Sequence, residues 1–153
     1  MTNEEYKELK EFEDLKTKVL KYVLYKKRTE KEVRQKFTEN TGNLLDNVIE
    51  YLKQENYIND TSYIERSINE IQKLKNLSIK EVKYKMLAKG LSSKLVDEYI
   101  YEHKEKMLEY EIKSATTIFI KKTNTMEKED IQNYLRKKGY MEESITIAGE
   151  DYE

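Results

Sequence analysis

An apolar pattern that returns twice at a step of 49 residues is the strongest constraint on what this chain can become. Val33, Val82 and Ile131 stand 49 apart, and four residues after each come Phe37, Met86 and Leu135. Four residues is one turn onward on the same helix face. Gly90 and Gly139 lie eight residues past their anchors, and Gly42 nine past its own. Six residues beyond these glycines are Val48, Val96 and Ile145; ten beyond are Leu52, Ile100 and, in the third copy, Gly149. A period of this size marks stacked supersecondary units. Each copy reads as a long helix, a second helix, a glycine turn and a third helix, the last of which is expected to be truncated.

Composition agrees with helix almost throughout. The 153 residues include no proline and only four glycines, while Lys, Glu and Leu are plentiful and all favour helix. The second helices declare where they begin. Thr29 with Glu32, and Ser78 with Glu81 49 residues later, have the spacing of a capping box. There the hydroxyl accepts from the third helical amide and the glutamate accepts from the cap amide. Copy three has Glu127 at this position, a weaker start. The glycine after each second helix is expected to be a left-handed C-cap. Lys89 and the Lys137-Lys138 pair precede it and oppose the negative helix end.

The first helices carry apolar stripes at three- and four-residue steps. Copy one has Phe12, Leu15, Val19, Tyr22 and Val23, ending in the basic tip at Lys26. Copy two is capped by Asn59-Asp60 and has Tyr63, Ile64, Ile68, Ile71 and Leu74. Copy three has Leu108, Ile112, Ala115, Ile118 and Phe119. These stripes read as core, with no polar group turned inward. Residues 93–122 contain no Gly or Pro, and the break between copies two and three is expected near 102–106.

Several classes of function fall away. Without cysteine there is no disulfide, thiolate metal site or cysteine nucleophile. The one histidine, His103, sits in a polar stretch and reads as a surface residue. Four isolated glycines make no phosphate-cradling loop. Carboxylates interleave with lysines, as on solvated helix faces. No apolar run approaches the ~18 residues of a membrane span, and the N-terminal stretch is acidic rather than signal-like. The reading is a cytoplasmic protein that is not an enzyme, with no catalytic residue, metal or cofactor and no membrane association.

A net charge of −1 conceals strong alternation. Residues 16–37 hold nine Lys/Arg against two Glu, and residues 71–94 hold seven Lys against one Glu. Residues 38–70 and 95–111 are net acidic. On the second helices Lys31 matches Lys80, Arg34 matches Lys83, and Lys36 matches Lys85. The first two positions of each set face away from the buried anchor, and the third flanks the apolar stripe. Two readings stand side by side: a solvated helix face, or a basic ridge that follows a polyanion. The candidate ridge comprises Lys26, Lys27, Arg28, Lys31, Arg34 and Lys36 in copy one, and Lys80, Lys83, Tyr84, Lys85 and Lys89 in copy two. Copy three has Glu129, Gln132 and Tyr134 in the matching places, with Arg136, Lys137 and Lys138 as a partial substitute. Tyr25 and Tyr84 stand beside these bases and are suited to stacking, although packing with the hydroxyl in water explains most of the thirteen tyrosines.

These motifs resemble a known family. Arg28-Thr29-Glu30-Lys31-Glu32-Val33, Tyr57 to Tyr63, Val82 to Leu91 and Lys138-Gly139-Tyr140 are similar, in order and spacing, to segments of RecX, the bacterial regulator of the RecA recombinase. The resemblance runs over roughly residues 18–147. The chain departs from it in lacking a proline beside Arg28, in having Ile64 after Tyr63, and in its near-neutral charge. The resemblance implies an all-α molecule of three tandem three-helix repeats in an elongated, curved array, divided at 1–56, 57–104 and 105–153. It implies a monomer that lodges on the RecA–DNA filament and modulates, mostly inhibits, ATP hydrolysis and strand exchange in DNA repair and the SOS response. Single- or double-stranded DNA is a further implied partner. A non-enzymatic helical nucleic-acid-binding module and a helical scaffold unrelated to recombination stand as alternatives.

Overall fold

Cap signals and apolar spacing turn into nine α-helices and no strand among the described residues, 1–40 and 42–150 of a computed structural model. They are α1 (Asn3–Tyr25), α2 (Glu30–Lys36), α3 (Asn43–Gln54), α4 (Asp60–Leu74), α5 (Ile79–Ala88), α6 (Ser93–Glu102), α7 (Lys104–Lys122), α8 (Lys128–Lys137) and α9 (Glu142–Ala148). Both expected capping boxes form: Thr29 closes with Glu32, and Ser78 with Glu81. Asn59 caps α4 through the Ser62 amide. Glu127 makes no side-chain cap bond at the start of α8. A further box, Thr2 with Glu5, starts α1.

The helices sort into two compact units, the described residues of 1–63 with 89–91, and residues 64–88 with 92–150. In the first, α1 packs on α2 and α3, and the core is built from Leu15, Val19, Val23, Val33, Phe37, Val48, Ile49 and Leu52. Burying each large aliphatic side chain stabilises by about 1.5–3 kcal/mol. In the second, α7 packs against α5, α6, α8 and α9. Phe119, Ile131, Leu135 and Ile145 fill its centre at 0–1% exposure, so the anchor positions of the 49-residue period are core in every copy.

Four expectations are corrected. Of the expected α7 stripe, Ala115 and Phe119 are buried while Leu108, Ile112 and Ile118 are only half-buried; Met107, Tyr110, Glu111 and Ser114 complete the buried face, which does turn polar groups inward. Leu74 is 73% exposed rather than core, because it is the last residue of α4. Gly42 does not cap α2, which closes on Phe37; with φ 95° and ψ −158° it starts α3 instead. His103 is half-buried rather than a plain surface residue. It ends α6 and begins α7, placing the break inside the expected 102–106 window. Its ring stacks on Tyr99 at 4.0 Å between centroids. The last helix, α9, is truncated to seven residues as the Gly149 position foretold.

Candidate partner-binding surface

The second helices, which carry most of the candidate ridge, are held by contacts repeated at the sequence period. Thr29 Oγ1 accepts from the Glu32 amide and donates to the Lys89 carbonyl at 2.7 Å. Ser78 Oγ accepts from the Glu81 amide and donates to the Lys138 carbonyl, also at 2.7 Å. One hydroxyl thus begins a second helix and ties it to the turn that ends the next one. Carboxylates take the first amides: Asp60 accepts from the Glu30 amide at 3.0 Å, and Glu111 from the Ile79 amide at 2.7 Å. Glu111 is fully buried and also accepts from the Met141 amide at 2.8 Å, so one carboxylate closes the starts of α5 and α9. Negative charge suits helix starts. Burial holds the Asp60 carboxyl above its usual range, the Glu30 amide bond only partly offsetting it.

The same turns position two lysines. A β-carbon added at Gly90 would lie 2.5 Å from Lys31 Cβ, and one at Gly139 would lie 2.9 Å from Lys80 Cδ. The stems of Lys31 and Lys80 therefore lie across glycines, in space that only glycine leaves open. Both residues remain exposed, so the stems are packed while the ammonium groups reach water.

Other candidates are already engaged. In each copy one cation of the second helix pairs with an acid of the third. Arg34 meets Asp46 at 2.6 Å and Glu30 at 3.1 Å, Lys83 meets Asp97 at 2.7 Å, and Arg136 meets Glu142 at 2.6 Å. The Arg136 and Lys83 hydrogen bonds hold the Glu142 and Asp97 carboxyls below their usual range. Burial opposes ionisation of Glu30, but hydrogen bonds from Lys53 and Arg34 outweigh it and lower its pKa. Arg28 lies over the Tyr22 ring at 4.1 Å, with its Nε buried. Lys26, Lys27, Lys31, Lys36, Lys80, Lys85, Lys89, Lys137 and Lys138 are exposed and have no ion-pair partner among the described residues. In the first unit that leaves Lys26, Lys27, Lys31, Lys36 and Lys89; in the second, Lys80, Lys85, Lys137 and Lys138.

Aromatic rings accompany these cations. Tyr84 is 57% exposed with Lys80 Nζ 6.0 Å from its ring, and Tyr25 is 87% exposed beside Lys26. Tyr134 lies between Lys122 at 4.3 Å and Lys138 at 5.6 Å, an arrangement sequence reasoning missed for Lys122. It missed Glu111 as well; the available signal was its place four residues after Met107 and four before Ala115. No three of His, Cys, Asp and Glu come together as a metal site among the described residues, and no helix there is long and apolar enough to cross a membrane. The surface offers cations and rings.

No family model matches the sequence. The chain is 34% identical over 121 residues to the regulatory protein RecX of Clostridium beijerinckii, covering 74% of this chain and 56% of that protein. It is 27% identical over 135 residues to the regulatory protein RecX of Clostridium acetobutylicum, covering 82% and 62%. It thus spans a little over half the length of these curated relatives. Among solved structures, RecX from Lactobacillus salivarius superposes with a TM-score of 0.78 at 19% identity, covering 94% of this chain and 97% of that one. At that identity the likeness speaks to the fold alone.

Proposed function

We propose that this chain, which belongs to the RecX family of regulatory proteins, regulates recombination by binding the RecA–DNA filament and lowering its ATP hydrolysis and strand exchange. The observation that carries the proposal is the set of second-helix lysines at period-related positions, Lys31 with Lys80 and Lys36 with Lys85, that have no ion-pair partner among the described residues. Cations held on helices suit a regularly spaced polyanion such as a nucleoprotein filament. Regulation of this kind needs no catalytic centre in the regulator, only differential affinity for states of the filament. The setting is DNA repair and the SOS response in the cytoplasm, with the protein acting as a monomer.

A second reading, direct binding of single- or double-stranded DNA, draws on the exposed Tyr84 and Tyr25 rings beside lysines, since rings next to cations form stacking platforms for bases. The test is RecA ATPase activity on single-stranded DNA with increasing amounts of this protein. Under the filament reading, hydrolysis falls in a saturable way, and the fall persists when excess bare DNA competes. Under the second reading, competitor DNA removes the effect. An unchanged rate at saturating protein overturns the filament reading.

A further inference from the structure

The first turns of α1 bury nothing. Residues 1–11 are all exposed, and the helix joins its core from Phe12 onward, where that ring sets its edge against Tyr51. A short helical run without tertiary packing is marginal in water, so this one gains by meeting a partner. Leu15, Val19 and Val23 carry one face of α1 into the core. About a third of a turn round the helix runs a second apolar stripe, Tyr6, Leu9, Leu20 and Leu24. Tyr6 is 63%, Leu9 48% and Leu24 63% exposed. At the middle of this stripe stand Glu13 and Lys16, 2.8 Å apart.

Charge says what covers the stripe. Residues 1–15 hold six carboxylates against two lysines, and residues 16–28 hold six Lys/Arg and no acid. Apart from Glu13 with Lys16, none of these groups has an ion-pair partner among the described residues. Such a helix is complementary to itself turned end for end. In a two-fold antiparallel pair centred between Asp14 and Leu15, Tyr6 of one chain meets Leu24 of the other, Leu9 meets Leu20, and Glu13 meets Lys16. The acidic half of each helix then lies along the basic half of the other. A parallel pair would set acid on acid and Glu13 on Glu13. A two-fold contact uses the same patch on both chains and closes at two, a polar pair inside an apolar seam fixes register, and opposed charge selects the orientation. We propose that α1 is the interface of an antiparallel homodimer. Lys26 lies near Glu4 of the other chain in this pairing, so the dimer is a resting form that occupies part of the cationic surface, and its dissociation frees the monomer. The inference does not depend on a recombinase partner.

The test is sedimentation of the whole chain from micromolar to millimolar concentration, at low and high salt. A monomer–dimer equilibrium is expected, with less dimer as salt screens the complementary halves. Leu9→Ser and Leu24→Ser, both at exposed positions, should each weaken the dimer at least about fivefold and leave the helicity of the dilute monomer unchanged. Orientation is read by cross-linking, since the chain has no cysteine of its own. Mild oxidation of Tyr6→Cys mixed with Leu24→Cys should join unlike chains. Tyr6→Cys alone should not cross-link, because about 27 Å of helix separates the two Tyr6 positions in the antiparallel pair. A chain that stays monomeric at millimolar concentration, a dimer indifferent to both serine variants, or a Tyr6-to-Tyr6 cross-link as ready as the mixed one would each overturn the interface.

Discussion

A side chain at Gly90 or Gly139 would meet two obstacles at once. The backbone there has φ of 95° and 92°, which costs an L-residue about 1–2 kcal/mol, and the new β-carbon would press on the stem of Lys31 or Lys80. Gly42 has φ 95° but open space around it. The expected order of loss is therefore Gly90→Ala, then Gly139→Ala, then Gly42→Ala, with overpacking adding about 1–3 kcal/mol to the first two. Urea unfolding measures it, and Lys80→Ala should recover part of the Gly139→Ala loss. Equal losses at all three sites would show that the lysine stems are not packed. The two amides held by Glu111 give a second test. A glutamine there accepts from one amide but sets its NH₂ against the other, so Glu111→Gln should cost about 1.5–3 kcal/mol for a bond to a charged group. Met86, 2% exposed, should lose about 2–5 kcal/mol on truncation to Ala.

The helix caps rank the elements. Thr29→Ala and Ser78→Ala each remove an N-cap, about 1 kcal/mol, and also leave the Lys89 or Lys138 carbonyl without its hydroxyl donor. Glu127→Ser supplies the cap that α8 lacks and should add about 0.5–1 kcal/mol; thermal melts of the three variants check both signs. The pairs between second and third helices respond to acid. Glu30, Asp97 and Glu142 have folded pKa values below their unfolded ones. Their contribution is present above the ordinary carboxylate range near pH ~4 and is lost as pH falls through the lowered values. Asp60, held high by burial, acts in the opposite sense. Caps and second helices were legible in the sequence because a hydroxyl and a glutamate three apart act locally. The face of α7 was legible only at Ala115 and Phe119. That helix packs against α5, α6, α8 and α9, so neighbours on several sides bury it, and the inward Glu111 and Ser114 carry no apolar signal. The role of Gly42 was hidden because α2 is one turn shorter than the period suggests and closes on Phe37.

For the molecule as a whole, the 49-residue period announced the all-α architecture, and the paired bonds from Thr29 to Lys89 and from Ser78 to Lys138 repeat at that period. The partition at 1–56, 57–104 and 105–153 is proposed on that period. Of the candidate surface, sequence supplied the cations but not their partners, since Asp46, Asp97 and Glu142 lie on other helices and come near only in the fold. Releasing one engaged cation is informative: Asp97→Asn frees Lys83 and should strengthen binding to a polyanion, steepening its salt dependence by up to about 0.9 if the new contact is a duplex phosphate. We propose that this chain prefers the RecA–DNA filament to bare DNA, through second-helix lysines that have no ion-pair partner among the described residues. The direct measurement is binding to filament and to bare DNA across a salt series, for wild type and for Lys80→Glu/Lys85→Glu, with helicity as the folding control. Tighter binding to filament than to DNA is expected at every salt, with loss of that preference in the folded double variant. Equal affinity for filament and bare DNA, or a folded variant that keeps the wild-type preference, would contradict it.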